Sequence, residues 1–496
     1  MGSLAIAVGK RGYNTFNAIL SMLSELSDRG CDAFGVASSR EAMVKGSLEE
    51  LKKEAIDSSN LIGHSLAKYT GRDDAQPIQR RDFSLVIDGR FYPSPPEGEP
   101  KHLAQNIENL GSRADHLIRK FNGAYTFAFA KDNGVVLGRD ALGAKPLHFG
   151  ENEDVCAAAS ERKALWGIGI TKTSSFPPGN TAYVNHRGFS FEAIKTLTQP
   201  PIRNTEMKTA AKELQNTLFQ SVKQQTSDLE EVAIAFSGGV DSSLIASLAK
   251  ICGVKVQLIF VGLEGYSEID LAQHAARALN LPLHNVAFSL DDLEHILPKV
   301  QWLIEEFNIL DTCIATPLFW VAQQADKLGL HILLSGQGAD ELFGGYHRYL
   351  EEYAKHGSIG LQRRLLHDIV ANSESGFPRD NKVAAYHKVE LRNPLISWSV
   401  VQLALSFPVK LKIASPKDPL RKNVLRETAK ILGIPEFIAE RPKKAIQYTT
   451  GVIRGIRKLA RKEGLTMEKY VKMISPEKLG RNQNEKDSSS IHTKIL

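Results

Sequence analysis

Apolar and polar positions along the chain change their period near residue 200. Before it, short runs alternate. In Ala124-Tyr125-Thr126-Phe127-Ala128-Phe129-Ala130 aromatic side chains alternate with small ones, the period-two pattern of a half-buried strand. Asp132-Asn133-Gly134 predicts a hairpin turn, and Val135-Val136-Leu137 the return strand. Phe83 to Ile87, closed by Asp88-Gly89, predicts another strand, and the apolar start from Met1 to Val8 a first one. This part reads as packed antiparallel sheets with a few helices. Gln199-Pro200-Pro201 marks a linker.

Beyond the linker, Met207, Ala211, Leu214, Leu218 and Val222 recur at helical spacing. Val232-Ala233-Ile234-Ala235-Phe236 is a continuous apolar run, followed by a Gly-rich turn and a helical stretch through Lys250. Val256 to Val261 and His331-Ile332-Leu333-Leu334 are further runs. Apolar strands separated by helical segments predict a parallel sheet covered on both faces, giving way to helices after about residue 350. From Pro476 the chain is polar and rich in lysine and serine, which predicts a disordered tail.

Composition narrows the classes. A chain of 496 residues exceeds what one core supports, so two or three domains are expected. With 62 basic and 56 acidic residues the net charge is +6, too mild to argue for nucleic acid. The basic cluster Arg454, Arg457, Lys458, Arg461 and Lys462 reads as a solvated helix face. No run approaches the roughly 18 apolar residues of a membrane span, and the start lacks a basic leader, so a cytoplasmic protein is expected. Cys31, Cys156, Cys252 and Cys313 fit neither a metal spacing nor a disulfide framework and are expected as buried free thiols.

The strongest chemical signal is Ser237-Gly238-Gly239-Val240-Asp241-Ser242-Ser243, set between a buried strand and a helix. Two glycines let backbone amides approach an anion, the helix N-terminus adds its positive end, and three hydroxyls can donate. The Gly-Lys-Ser/Thr ending of a Walker loop is absent. An aspartate within a phosphate loop calls for a bridging cation, so Asp241 predicts Mg²⁺ between carboxylate and phosphate oxygens. Ser335-Gly336-Gln337-Gly338-Ala339-Asp340-Glu341-Leu342-Phe343-Gly344-Gly345-Tyr346 follows the third buried strand, at the sheet edge where open α/β sheets bind ligands. Asp241 and Asp340 together predict a two-sided Mg²⁺–triphosphate clamp.

The first of these segments resembles the loop of the PP-loop ATP pyrophosphatases, which adenylate a carboxylate or carbonyl oxygen. The second, with Arg379-Asp380-Asn381-Lys382, Val389 to Leu395 and Arg441-Pro442-Lys443-Lys444-Ala445, is similar to the signature of the asparagine synthetases. The resemblance implies ATP and Mg²⁺, with Asp241 and Asp340 as metal ligands. It also implies a catalytic set of Lys443, Asp241, Asp340 and Glu341, with Lys444 as a fallback for Lys443. The phosphates would lie against Ser237, Gly238, Gly239, Ser242 and Ser243, and the adenosine against the backbone of Phe236, Val261, Ser335 and Gly336. The 389–395 segment is expected within a helical region. Gln337 stands where many members carry an acid.

Six weaker segments in the first part resemble the glutaminase domain of the same family, among them Arg29 to Gly35, Gly63-His64, Gly138 to Gly143 and Ser160 to Leu165. The implied fold is two-domain α/β: a glutaminase-like N-terminal-nucleophile αββα sandwich over residues 1–200, then a parallel-sheet PP-loop synthetase domain over 206–475, and the tail from 476 to 496. Glutamine hydrolysis needs a cysteine at the mature N-terminus. Here position 2 is Gly2, the expected arginine after His64 is replaced within Ser65-Leu66-Ala67, and the Asn-Gly oxyanion pair is Asp88-Gly89. A carboxylate there repels an oxyanion. The expected activity is therefore amidation of aspartate with ammonia, free or from a separate glutaminase. A β-lactam-synthetase-like ligase acting on another acid is the alternative, an inert scaffold and a tRNA-modifying enzyme the readings from other classes. No nucleic-acid or membrane partner is expected, and a homodimer fits the reading.

Overall fold

The computed structural model describes residues 1–111, 116–265 and 268–476. The expected tail from 477 onward lies outside them. Among the described residues, thirteen strands occupy the first part: β1 Gly2–Gly9, β2 Ala33–Ala37, β3 Ala42–Lys45, β4 Asn60–Leu66, β5 Ile78–Gln79, β6 Ser84–Phe91, β7 Gly123–Lys131, β8 Gly134–Arg139, β9 His148–Glu151, β10 Val155–Ala159, β11 Ser174–Ser175, β12 Asn180–Asn185 and β13 Gly188–Ala193. They form a seven-stranded sheet, β11-β9-β10-β1-β4-β2-β3, and a six-stranded sheet, β13-β12-β8-β7-β6-β5.

The alternation in the sequence explains why the two sheets stack with helices outside. In β1, Leu4, Ile6 and Val8 enter the core between the sheets, while Ala5 and Ala7 face the layer with helix Phe16–Glu25. In β7, Ala128 and Ala130 lie between the sheets, where little space is left. Tyr125, Phe127 and Phe129 turn outward onto helix Glu99–Leu110. Large residues of β1 thus meet small residues of β7 between the sheets, and the opposite faces of both strands pack under helices, which builds an αββα sandwich.

The second part holds a five-stranded parallel sheet in the order β16-β15-β14-β17-β18, with β14 Glu231–Ala235, β15 Lys255–Leu263, β16 Leu283–Phe288, β17 Ile332–Leu334 and β18 Glu390–Arg392. Val232 and Ile234 pack on the face covered by helices Met207–Thr226 and Val240–Ile251; Ala233 packs on the face covered by Leu290–Ile304 and Ile309–Lys327. Burial on both faces accounts for the unbroken apolar runs.

Two expectations are corrected. Residues 389–395 were expected in a helical region, but Glu390–Arg392 form β18, an edge strand in register with β17. Three residues carrying two charges give no apolar run to read. Of the cysteines, Cys156 and Cys313 are buried, but Cys31 is exposed and Cys252 partly so. Cys31 sits just ahead of β2, where the chain runs over the surface.

The halves share one apolar core: Met1, Ala67, Tyr69, Leu142 and Ala144 cluster with Phe377, Leu395 and Ile396. Arg139 donates to the Ser373 carbonyl at 2.8 Å and Asn381 to the Ala144 carbonyl at 3.0 Å.

Lys412 is fully buried, and its Nζ has no hydrogen-bond partner among the described residues. Burial pushes its ammonium down to about 7. In the unfolded chain the group keeps its proton up to about 10.4. Between those values the unfolded state binds the extra proton, so stability rises with pH through this window. Lys412→Met is therefore expected to raise stability at and below pH 7, by on the order of 4 kcal/mol. The gain should shrink to nothing as pH approaches 10.5. Thermal unfolding of both proteins across that range checks it.

Candidate functional site

The two Gly-rich segments meet at the C-terminal ends of β14 and β17. After β14 the chain turns through Ser237 and Gly238, the latter at φ 67°, and Gly239 caps helix Val240–Ile251 with Asp241 in its first turn. Ser242 Oγ accepts the Ser237 N–H at 3.2 Å and donates to the Gly239 carbonyl at 3.3 Å, which holds the loop open. Ser243 is buried beneath it. Gly336 sits directly against this turn. A Cβ there would lie 2.9 Å from Asp241 Cβ, so only glycine lets the loops touch. Phe236 and Val261 are buried at the ends of neighbouring strands, and the Phe236 N–H donates to the Ile259 carbonyl at 2.9 Å. Their side chains belong to the core, which leaves backbone to face a ligand.

Asp241 and Asp340 are joined by a residue the sequence reading did not single out. Lys422 Nζ lies 2.6 Å from Asp241 Oδ2 and 2.6 Å from Asp340 Oδ1, and Lys443 Nζ lies 2.6 Å from Asp340 Oδ2. Burial raises the Asp340 carboxyl, but the ammonium groups of Lys422 and Lys443 outweigh it and hold the group well below the usual carboxylate range. For Lys422, burial lowers the ammonium; the two aspartates overcome this and raise it.

Lys422 reaches the site through an unusual backbone. Arg421 and Lys422 both adopt left-handed φ, 56° each, a conformation costing about 1–2 kcal/mol per non-glycine residue. Asp418 supports the turn by accepting the Leu420 and Arg421 N–H groups at 3.0 Å, and Arg421 Nε donates to the Gly345 carbonyl at 3.0 Å. Gly345 clears the way, since a Cβ there would collide with Asp340 and with the Lys422 stem. Nothing in Leu420-Arg421-Lys422-Asn423 announces this geometry.

The pocket beside the first Gly-rich loop is small, about 50 Å³; its walls include Ser237, Gly239, Asp241, Lys422, Arg426, Arg441, Lys443 and Lys444. Arg441 donates to the Ser237 carbonyl at 3.2 Å and to Glu268 at 2.7 Å, and Lys444 pairs with the same Glu268 at 2.7 Å. Lys443 and Lys444, adjacent in sequence, thus serve different carboxylates. Glu341 is buried and turned away from these groups: its Oε1 accepts the Tyr346 hydroxyl at 2.7 Å. Burial, with the neighbouring Asp340 charge, raises its carboxyl.

No cluster of three or more His, Cys, Asp or Glu side chains suits a metal among the described residues. Asp241 Oδ1 and Asp340 Oδ1 are nevertheless buried without a hydrogen bond, the latter close to Lys422 but off hydrogen-bond geometry. Two carboxylates completed by phosphate oxygens are a donor set that suits Mg²⁺. The residues fit the ion.

The segments of the first domain also converge. Gly2 N–H donates to Asp88 Oδ1 at 3.1 Å. Lys145 Nζ and Arg29 Nη2 each lie 3.6 Å from the Asp88 carboxylate. Burial raises that carboxyl, and Lys145, Arg29 and the terminal ammonium reverse the effect, so it is held ionised. A Cβ at position 2 would fall within the van der Waals radius of the Ser65 carbonyl oxygen. His64 is fully buried, pushed down to about 3 chiefly by burial. Arg90, which the sequence reading also passed over, lies 2.8 Å from Asp73 and 3.3 Å from Glu99.

Comparison with known proteins agrees with this layout. The family model for asparagine synthase matches residues 213–377 and 360–480, and that for a glutamine amidotransferase domain matches residues 101–198. A Methanocaldococcus jannaschii protein bearing the name of a glutamine-hydrolysing asparagine synthetase is 31% identical, over 91% of this chain and 94% of its own. The glutamine-hydrolysing asparagine synthetase B of Escherichia coli is 24% identical, over 85% and 82%. Asparagine synthetase 1 of Bacillus subtilis, also glutamine-hydrolysing by name, is 32% identical over 50% of this chain and 44% of its own.

Proposed function

Because the chain belongs to the asparagine synthase family, whose members are ATP-dependent ligases that form AMP, we propose that it adenylates the side-chain carboxylate of aspartate and amidates it with ammonia. The observation that carries the reading is the meeting of the two Gly-rich loops, with Asp241 and Asp340 facing each other across Lys422. A carboxylate oxygen of the substrate attacks the α-phosphorus of ATP, and the bond to the bridging oxygen of pyrophosphate breaks. The loop amides from Ser237 to Gly239 and the helix N-terminus behind them face the leaving pyrophosphate, whose charge grows as the bond opens. Lys422 and Lys443 supply fixed positive charge at the same place. Mg²⁺, held by Asp241 and Asp340 with phosphate oxygens, would supply further charge neutralisation. Ammonia then attacks the acyl carbonyl, and AMP leaves with the former carboxylate oxygen.

Two features of the first domain support ammonia as the nitrogen source. Position 2 has neither a nucleophile nor room for one, since its Cβ would overlap Ser65. The place that the family resemblance gives to an oxyanion donor is filled by the ionised Asp88. Both features support free ammonia, or ammonia handed over by a separate glutaminase. The adenylation step is tested by ATP–pyrophosphate exchange over a panel of carboxylic acids. Aspartate is expected to support exchange; exchange with another acid alone overturns the substrate assignment.

A further inference from the structure

The first domain has a second task in this architecture, and it rests on the adenylation reading just given. β6 and β7 pair over eight residues, from Ser84 to Phe91, so Arg90 is carried on a rigid ribbon. Its guanidinium crosses to the second domain. Arg90 Nε and Nη2 lie 3.2 and 3.1 Å from Glu390 Oε2. Both side chains are almost fully buried, where such a charge-assisted pair is strong and its one-sided loss costly. Glu390 in turn accepts from Arg392 Nε at 2.7 Å, and Arg392 is clamped to Asp228 at 2.8 Å.

Glu390 opens β18, which pairs with β17 at three positions. So short an edge strand has few ladder bonds to fix its place. Its far end holds the second Gly-rich loop. The Arg392 carbonyl accepts the Ser335 N–H at 3.2 Å. Asn393 accepts the Ser335 hydroxyl at 2.6 Å and donates to Gln337 Oε1 at 3.2 Å. Gly336, between them, is the residue packed against Asp241. An unbroken series of contacts therefore runs from β6 through Arg90, Glu390 and β18 to the loop packed against Asp241.

We propose that Arg90 is a positioning residue for adenylation: the first domain, through the Arg90–Glu390 pair, sets the edge strand that places Ser335, Gly336 and Gln337 against the phosphate loop. Arg90 touches no substrate and acts through β18. Displacements of an ångström or less at a positioning loop can cost about 10²-fold in rate.

The test compares Arg90→Met with Arg162→Met in the full-length protein. Arg162 makes another bridge between the halves, to buried Glu305 and partly exposed Glu306 at the end of helix Leu290–Ile304; Glu305 pairs onward with Lys382, which lies in helix Gly376–Tyr386 and in neither loop. Thermal unfolding, kcat and KM for ATP–pyrophosphate exchange, and the Kd for α,β-methylene-ATP are measured for each. Arg90→Met is expected to lower kcat/KM at least 10-fold and to weaken nucleotide binding several-fold; Arg162→Met, at a comparable fall in Tm, should change both by less than 3-fold. Equal losses in the two variants, tracking their Tm, overturn the proposal. Should Arg90→Met fail to fold, Arg90→Lys decides. Its single ammonium cannot keep the Nε and Nη2 grip on Glu390 while also meeting Glu99, which Nη1 holds, so a loss of at least 5-fold is expected, and full wild-type kcat/KM overturns the role. Absence of exchange by the wild-type protein with every acid refutes the adenylation reading instead, and the nucleotide Kd values then still judge Arg90.

Discussion

Asp340→Asn is expected to lower ATP–pyrophosphate exchange by roughly 10³-fold while leaving the fold intact. The amide keeps the shape of the side chain but removes the charge to which Lys422 and Lys443 are both paired. It also removes one of the two carboxylates that suit Mg²⁺, so the triphosphate loses its second anchor. Because the two lysines hold Asp340 ionised far into acid, an acid limb in the pH profile of the wild-type enzyme should not come from this residue. The measurement is steady-state exchange from pH 5 to 9 for both proteins, with circular dichroism as the folding control. Activity within 10-fold of wild type would contradict the clamp.

Lys443→Met is expected to lower kcat by about 10³-fold with a change in the KM for ATP of only a few-fold. Lys443 is partly exposed and reaches the site from the loop after Arg441, whereas Lys422 is sealed beneath it. Two cations therefore face Asp340 with different freedom. On the proposed adenylation, the buried one would organise the resting site and the freer one would follow the charge that grows on the departing pyrophosphate. A side chain whose interaction strengthens only as the bond breaks affects turnover more than binding. A variant that raises KM and leaves kcat unchanged would assign Lys443 to ground-state binding. Lys444, tied to Glu268 on the other side of the loop, should tolerate methionine with a change of less than about 3-fold, the scale of an exposed ion pair.

The sequence made the parallel sheet and the two Gly-rich loops readable for a common reason: each is local. Val232 to Phe236 is apolar on both faces because both faces are covered, and Ser237 to Ser243 is contiguous because one turn makes the cradle. Lys422 was not readable. It enters through two consecutive left-handed residues, and its partners Asp241 and Asp340 lie 181 and 82 positions away. Glu268 is hidden in the same way, as an ordinary charge that meets Arg441 only when helix Glu268–Leu279 packs beside the phosphate loop. β18 escaped because Glu390 and Arg392 interrupt the apolar pattern; the reason they are tolerated, the pairs with Arg90 and Asp228, lies in distant segments.

The first domain shows the converse. Its departures from the glutaminase pattern were visible as single residues, Gly2, Leu66 and Asp88, because each differs at one position. The charges that pack around them were not visible. Asp88, Lys145 and Arg29 form one buried charge cluster, and Arg90 with Asp73, Glu99 and Glu390 forms another beside it. Buried charges survive only when paired, so these substitutions make sense together and not singly.

The central claim, an AMP-forming amidation that draws on ammonia and not on glutamine, is tested most directly by following nitrogen. The full-length protein is incubated with aspartate, Mg²⁺ and ATP, and either ¹⁵N-ammonium or glutamine labelled with ¹⁵N at the amide, and the products are read by NMR. The account predicts ¹⁵N-asparagine, AMP and pyrophosphate in equal amounts from ammonium, and neither labelled asparagine nor glutamate from glutamine. Labelled asparagine formed from glutamine, with glutamate released in step, would contradict it.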